Sequence, residues 1–237
     1  SRGLGDVYKR QVNHFSDGRE FISGNRCERG LGFKKEVLEA PNLYEYKYKR
    51  LFGYRALKED EATRGTIGLP RVLNMYEDYP FWFTFFTELG YRVVISGRSN
   101  KQLYELGMET IHSESMCYPA KLVNGHIADL IKKGVKKIFY PSIPFSVKED
   151  PNADNHYNCP IVTSYPEAID KNVDDIHDMG IKYYYPFLPI DSPNRMGKRI
   201  LEELPEEELS LREINIALTK AYEEWDKYKS DLRAEGE

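Results

Sequence analysis

From Thr66 onward, short apolar runs alternate with longer amphipathic segments, and this alternation strongly limits how the chain can fold. The runs TIGLPRVL, YRVVIS and VKKIFYPSI predict three buried strands, and CPIVTS and IKYYYPFL predict two more. The segments between them have helical spacing and end at glycines such as Gly90, Gly134 and Gly180. Strands that alternate with helices through short connections predict α/β architecture, a Rossmann-like parallel sheet with flanking helices.

Two helix starts can be predicted from single residues. Pro80 fits only the first turn of a helix, so the aromatic segment around it is expected to become helical near Tyr79. Ser210 and Glu213 have the spacing of a capping box, in which each residue bonds the other's backbone N–H. The apolar residues after them recur at helical spacing, which predicts a long C-terminal amphipathic helix.

The first part of the chain has a different character. Residues 1–11, SRGLGDVYKRQ, lack an initiator Met and any apolar period, and they are interpreted as non-native, adapter-derived sequence. The chain is therefore expected to be a fragment of a larger protein. Residues 12–64 are charged and irregular and are predicted to be a linker segment, with one short helix in LYEYKYKRLFGY. Residues 65–237 are predicted to form the α/β domain.

Composition argues against several classes of partner. The net charge is −4 and the pI about 5.9, so nucleic acid is not the expected partner. No apolar run approaches the ~20 residues that a membrane span needs, so no membrane partner is expected. The 3 cysteines have no framework spacing, which predicts a reducing, cytoplasmic setting rather than a disulfide scaffold.

Three residues stand where chemistry is expected in such a sheet. Ligands of doubly wound sheets bind at the carboxyl ends of the strands. Cys117 follows the second predicted strand and precedes a helix, Ser142 ends the third, and Cys159 closes a polar loop, residues 146–158. Cys159 reaches the same edge only if that loop folds back. A helix N-terminus favours the thiolate form of Cys117, and thiolates are ligands of zinc and iron–sulfur clusters.

Each of these features has a structural alternative. Free cysteine is usually a buried, inert residue, so core thiols are the first alternative for Cys117 and Cys159. Lys121 and His126 are expected on the solvated face of a helix. A thiol enzyme using Cys117 and His126 is disfavoured, because the two would lie ~13 Å apart along a helix. The chain has no G-x-x-x-x-G-K phosphate loop.

A further group of polar residues follows the first predicted strand. Arg71, Asn74 and Tyr76 lie beyond the strand end in GLPRVLNMYEDY, where they can meet an anionic or acyl ligand. The structural alternative is a strand-to-helix connection in which Asn74 caps the helix.

Four long motifs, in order, resemble one known family. These are GLPRVLNMYEDYPFWFTFFTELGYRVVIS, ESMCYPAKLVNGHIADLIKKGV, FYPSIPF and ADNHYNCPIVTSYPE. They resemble the domain of unknown function in large acyl-CoA dehydratase activase-related proteins, also called CoA-substrate-specific enzyme activases. That domain is similar to the 2-hydroxyacyl-CoA dehydratase component. The resemblance covers roughly residues 15–200.

The resemblance implies an iron–sulfur electron-transfer domain of an ATP-driven 2-hydroxyacyl-CoA dehydratase or reductase system. Its implied partners are ATP-binding activase modules, in the same or a separate chain, and an acyl-CoA substrate. Carried over, Cys117 and Cys159 become ligands of a 4Fe–4S cluster. Relatives are expected to have a cysteine near Ser142, and a serine oxygen is a harder, weaker ligand for iron. A non-catalytic docking or structural domain within the large activase is the alternative.

Overall fold

The computed structural model describes residues 11–23 and 42–237. The first range is a β-hairpin in which β1 (Gln11–His14) and β2 (Glu20–Ser23) pair antiparallel. The sequence did not predict this hairpin, because residues 12–21 are all exposed and no buried face imposes an apolar period. Residues 1–10, most of the segment interpreted as adapter-derived, lie outside the described residues, as does Cys27.

The second range forms a single compact unit of helices around one sheet. Its helices are α1 (Leu43–Phe52), α2 (Leu73–Glu77), α3 (Tyr79–Glu88), α4 (Lys101–Leu106), α5 (Tyr118–Lys132), α6 (Pro160–Asn172), α7 (Asp174–Asp178), α8 (Pro193–Glu203) and α9 (Leu211–Gly236). Short 3₁₀ turns occupy Met108–Thr110 and Pro205–Glu207. None of the helices in the described part of the chain is long and apolar enough to cross a bilayer.

The sheet is parallel and has four strands. They are β3 (Thr66–Leu69), β4 (Arg92–Ile95), β5 (Lys137–Phe139) and β6 (Lys182–Tyr184), in the order β4-β3-β5-β6. All three neighbouring pairs run parallel. The predicted fold class is therefore confirmed: α/β, with a parallel sheet, flanking helices and a long C-terminal helix.

One predicted strand is wrong. CPIVTS is not a strand but the start of α6, with Pro160 in the first helical turn. Its β-branched residues suggested a strand, but Val162, Tyr165 and Ile169 are buried at helical spacing. Packing of that helical face outweighs the weak local β-propensity.

Both predicted helix starts are confirmed. A short helix, α2, ends before Asp78, and α3 begins at Tyr79 with Pro80 in its first turn. Ser210 and Glu213 form both bonds of the capping box at the start of α9. These features depend only on contacts within a few residues, which a sequence pattern can reveal.

Helices cover both faces of the sheet. Trp82 and Phe86 of α3 pack against Phe139 of β5, each with ring centroids 4.8 Å apart. On the opposite face, α5 approaches β3 so closely that a Cβ at Gly68 would lie 3.2 Å from Leu130. The chain moves one way along the sheet from β3 to β4 and the opposite way from β4 to β5. Because parallel crossovers are right-handed, the helices of these two connections lie on opposite faces of the sheet.

The segment before the sheet packs within the same unit. Leu51 of α1 is fully buried, and Arg50 pairs with Glu224 at 2.7 Å and with Asp231 at 2.9 Å, both on α9. The predicted domain boundary at residue 65 stays a prediction about the parent protein. Within this chain, residues 42–64 belong to the compact unit.

Candidate functional site

The carboxyl edge of the sheet has one point at which strand order reverses. From β3 the chain moves to β4 on one side and later returns to β5 on the other. The connections after β3 and β5 therefore diverge, and the crevice between diverging connections is where doubly wound sheets bind ligands.

Cys117 lies at this edge, as the N-cap residue of α5. It has extended backbone angles, and its carbonyl accepts the N–H groups of Ala120 at 3.1 Å and Lys121 at 3.2 Å. Pro119 occupies the first turn, where its missing N–H costs nothing. The thiol is exposed, so the core-thiol alternative is wrong for Cys117.

Cys159 occupies the corresponding position on α6, as its N-cap residue, and its thiol is also exposed. The polar loop before it folds back, as the prediction for this residue required. Ser146 N–H donates to the His156 carbonyl at 2.9 Å, and Asn158 N–H donates to the Pro144 carbonyl at 2.9 Å. Cys159 is thus held beside the segment that leaves β5.

Ser142 is the buried member of the predicted set, with a relative exposure of 5%. It extends the β5–β6 pairing, donating its N–H to the Pro186 carbonyl at 2.9 Å and accepting from Leu188 N–H at 3.0 Å. The Asn158 side chain donates to the Ile143 carbonyl at 2.9 Å. A hydrogen bond therefore joins Ile143, the residue after Ser142, to Asn158, the residue before Cys159.

A buried hydrogen bond joins the two cysteine-bearing helices. The Tyr165 hydroxyl on α6 donates to Asn124 Oδ1 on α5 at 2.7 Å. Burial raises the pKa of Tyr165 to about 12, and the negative charge of a Cys117 thiolate adds to this effect. The structure thus places Cys117, Ser142 and Cys159 at one edge of the sheet, on segments that hydrogen bonds join to one another.

The two thiols at this edge are the residues that the sequence predicted as metal ligands. Among residues 11–23 and 42–237, no group of three or more His, Cys, Asp or Glu side chains is arranged to hold a metal ion. Two exposed thiols and one buried hydroxyl make a smaller donor set than the Cys₄ site of a 4Fe–4S cluster. Cys117 and Cys159 offer two thiols, half the number of cysteines in a Cys₄ site.

His126 differs from its prediction, because it is fully buried rather than solvated. Its Nδ1 lies 2.7 Å from Ser96 Oγ, and its Nε2 lies 2.9 Å from Ser99 Oγ. Ser96 Oγ also accepts the Arg71 backbone N–H at 2.7 Å. A neutral imidazole has one N–H donor and one acceptor nitrogen, so each ring nitrogen can bond one of the two serines. Both ring nitrogens are occupied, which leaves none for Cys117 and removes the basis for a Cys117–His126 thiol enzyme.

Asp78 is a buried carboxyl group that the sequence analysis did not single out. Burial raises its pKa to about 7, against the effect of its hydrogen bond from Asn74 at 3.5 Å. The N-cap residue of α2 is Val72, so Asn74 does not cap this helix. Asp78 lines a cleft of about 300 Å³ together with Trp225 and Lys229 of α9. In the sequence, the only sign of this buried carboxyl group was an acidic residue just before the predicted helix start at Tyr79.

These features define the class of the protein. It is a doubly wound parallel α/β domain with two exposed thiols at helix N-termini beside the switch point of its sheet. The chain belongs to the family described as the CoA enzyme activase uncharacterised domain, whose profile matches residues 66–237. No curated protein and no solved structure is significantly similar to the chain.

Proposed function

We propose that this CoA enzyme activase-type domain is an iron–sulfur electron-transfer domain of an ATP-driven 2-hydroxyacyl-CoA dehydratase or reductase system. The observation that supports this proposal best is the paired placement of Cys117 and Cys159. They are 42 residues apart in sequence, yet each is the exposed N-cap residue of one of two hydrogen-bonded helices at the same sheet edge.

In this proposal the domain contributes part of a cluster site. Cys117 and Cys159 would hold iron as thiolates, the form in which cysteine binds metals. Ser142 stands where the family resemblance predicts a third thiolate. The bound cluster would supply one-electron chemistry, and the remaining ligands would come from another part of the parent protein or from its partner. Activase modules that use ATP are the proposed electron donor, and an acyl-CoA thioester is the proposed substrate.

Anaerobic reconstitution with iron and sulfide tests the proposal. We expect the chain to retain iron with an absorption band at about 400 nm, as thiolate-bound clusters do. The Cys117→Ser, Cys159→Ser double variant should lose this iron, while Cys27→Ser should keep it. Ser142→Cys should increase the iron retained per chain, because it adds the softer ligand. Equal iron in the double variant and the wild type would refute the proposal.

A non-catalytic docking domain is the second candidate. The hydroxyl of Ser142 and the incomplete donor set of the described residues favour it. Binding to purified activase modules should then be unchanged in the Cys117→Ser, Cys159→Ser double variant. A pulldown that fails with this variant would exclude the docking candidate and favour the iron–sulfur proposal.

A further inference from the structure

Two arginines meet at the carboxyl edge of the sheet. Arg71 follows β3 and Arg98 follows β4, so the parallel pairing of these strands brings both residues to the same edge. The guanidinium carbon of Arg71 lies 4.2 Å from the Phe52 ring centroid and 5.8 Å from that of Tyr48. The guanidinium carbon of Arg98 lies 4.8 Å from the same Tyr48 ring. Two positive charges therefore share one aromatic platform.

Within the described ranges, neither arginine has a carboxylate partner. The nearby acidic side chains are already paired: Glu77 accepts Lys47 Nζ at 2.5 Å, and Asp129 accepts Lys133 Nζ at 2.8 Å and the Gly97 N–H at 2.7 Å. Arg71 Nε is buried and, among these residues, makes no hydrogen bond. A buried guanidinium N–H without an acceptor is costly, and an acceptor supplied by a ligand would remove that cost.

The surroundings hold Arg71 in place without neutralising it. Its backbone N–H donates to Ser96 Oγ, which is bonded to His126. The low pKa of His126 keeps the ring uncharged, so it adds no positive charge behind the arginine. Leu73, two residues further on, has a φ of 44°, a left-handed conformation that is uncommon for a non-glycine residue.

The available donors match one class of ligand. Arg71 Nη1 donates to the Tyr48 hydroxyl at 2.5 Å, so the hydroxyl proton of Tyr48 is free to donate outward. Tyr76 packs on the same aromatic platform, with its ring centroid 5.0 Å from that of Phe52. Burial raises the pKa of Tyr76, and the charges of Arg71 and Arg98 oppose that rise. Two guanidinium forks and a phenol hydroxyl complement a dianion with three acceptor oxygens.

We propose that Arg71, Arg98 and Tyr48 form a binding site for the phosphate group of a soluble ligand. A phosphate ester has nearly two negative charges at neutral pH, which balance the two guanidinium groups. Arg98 is exposed and is the side chain that a ligand meets first, while Arg71 Nε is the buried donor. The site contains no cysteine, so it does not depend on the iron–sulfur proposal.

Titration of the 237-residue chain with inorganic pyrophosphate at constant ionic strength tests the site. Calorimetry measures the Kd, and NMR of the arginine Nε–H signals reports which side chains respond. We expect saturable binding that shifts the Arg71 and Arg98 signals. Arg98→Gln should weaken the Kd about tenfold or more, the effect of losing one charge-assisted contact. Arg71→Lys, which keeps the charge but loses the fork, should also weaken binding.

Three controls separate this site from general charge effects. Arg212→Gln removes an exposed arginine beside Glu213, at the opposite edge of the sheet, and should change the Kd less than about twofold. The Cys117→Ser, Cys159→Ser double variant should bind pyrophosphate like the wild type. Succinate should bind much more weakly. Absence of any Arg71 or Arg98 shift, an unchanged Kd in Arg98→Gln, or equal binding of succinate would each overturn the proposal.

Discussion

At the scale of single residues, burial decides the behaviour of two titratable groups, and their pKa values move in opposite directions. His126 is held neutral, its pKa lowered to about 4 first by burial and then by the charge of Arg71. Asp78 keeps its proton in the folded state because its pKa is raised to about 7, again chiefly by burial. Both groups therefore remain uncharged inside the fold, because the interior penalises the charged form of either.

His126 predicts a loss of stability in mild acid. Between pH 6.5 and about 4 the unfolded chain binds a proton that the folded chain does not, so the free energy of unfolding should fall as pH decreases through that window. His126→Gln should be less stable overall but should show a flatter profile there. Urea unfolding at stepped pH measures the slope, and identical slopes in both proteins would contradict the assignment of a buried neutral imidazole.

Asp78 predicts the opposite slope. Between pH 3.8 and about 7 the unfolded carboxyl is ionised while the folded one keeps its proton, so this group lowers stability as pH rises through the window. Asp78→Asn should remove that decline and be more stable than the wild type at pH values above 7, by on the order of a few kcal/mol. Asp226→Asn, at an exposed position of α9, is the matched control. If the Asp78→Asn variant were as pH-sensitive as the wild type, the prediction would be disproved.

At the scale of elements, the position of Cys117 depends on how closely α5 approaches α4. A Cβ added at Gly125 would lie 2.0 Å from the Leu103 carbonyl oxygen, and one at Gly107 would lie 2.1 Å from the Gly125 nitrogen. Neither neighbour is the end of a flexible side chain, so only glycine permits this contact. The sequence shows these glycines but not that they face each other across two helices.

Gly125→Ala should therefore destabilise the domain and displace α5. We expect a loss of about 1–3 kcal/mol, the usual effect of overpacking, measured by denaturant unfolding. Gly236→Ala is the control, since a Cβ there would meet only Leu43 at an ordinary 3.6 Å and lies in a helix that alanine favours. If Gly125→Ala matched this control in stability, the close approach of α4 and α5 would be wrong.

At the scale of the whole molecule, the compact unit begins further toward the N-terminus than the apolar pattern. The pattern begins at Thr66, but α1 buries Leu51 and forms the Arg50 ion pairs with α9. Arg92 on β4 also donates to the Leu57 carbonyl at 2.7 Å. These contacts are made by residues scattered over a charged, tyrosine-rich segment, which is why the sequence suggested a linker.

Two truncations test this extent. A chain of residues 42–237 should unfold at about the same temperature as the 237-residue chain, because it keeps every contact of the compact unit. A chain of residues 65–237 should be markedly less stable, since it exposes the surface that Leu51 covers and leaves Glu224 and Asp231 without Arg50. Equal melting temperatures for the two truncated chains would support the predicted boundary at residue 65 instead.

The sequence alone determined the local features: a parallel α/β fold, the helix start at Tyr79, the capping box at Ser210 and the placement of Cys117 before a helix. Each depends on apolar periodicity or on bonds within one helical turn, so neighbouring residues contain the information. The tertiary structure decided which distant residues meet. Packing between elements determines the strand order, the fold-back of the loop before Cys159, the burial of His126 and the placement of Arg71 and Arg98 on one aromatic platform. Local periodicity does not specify that packing.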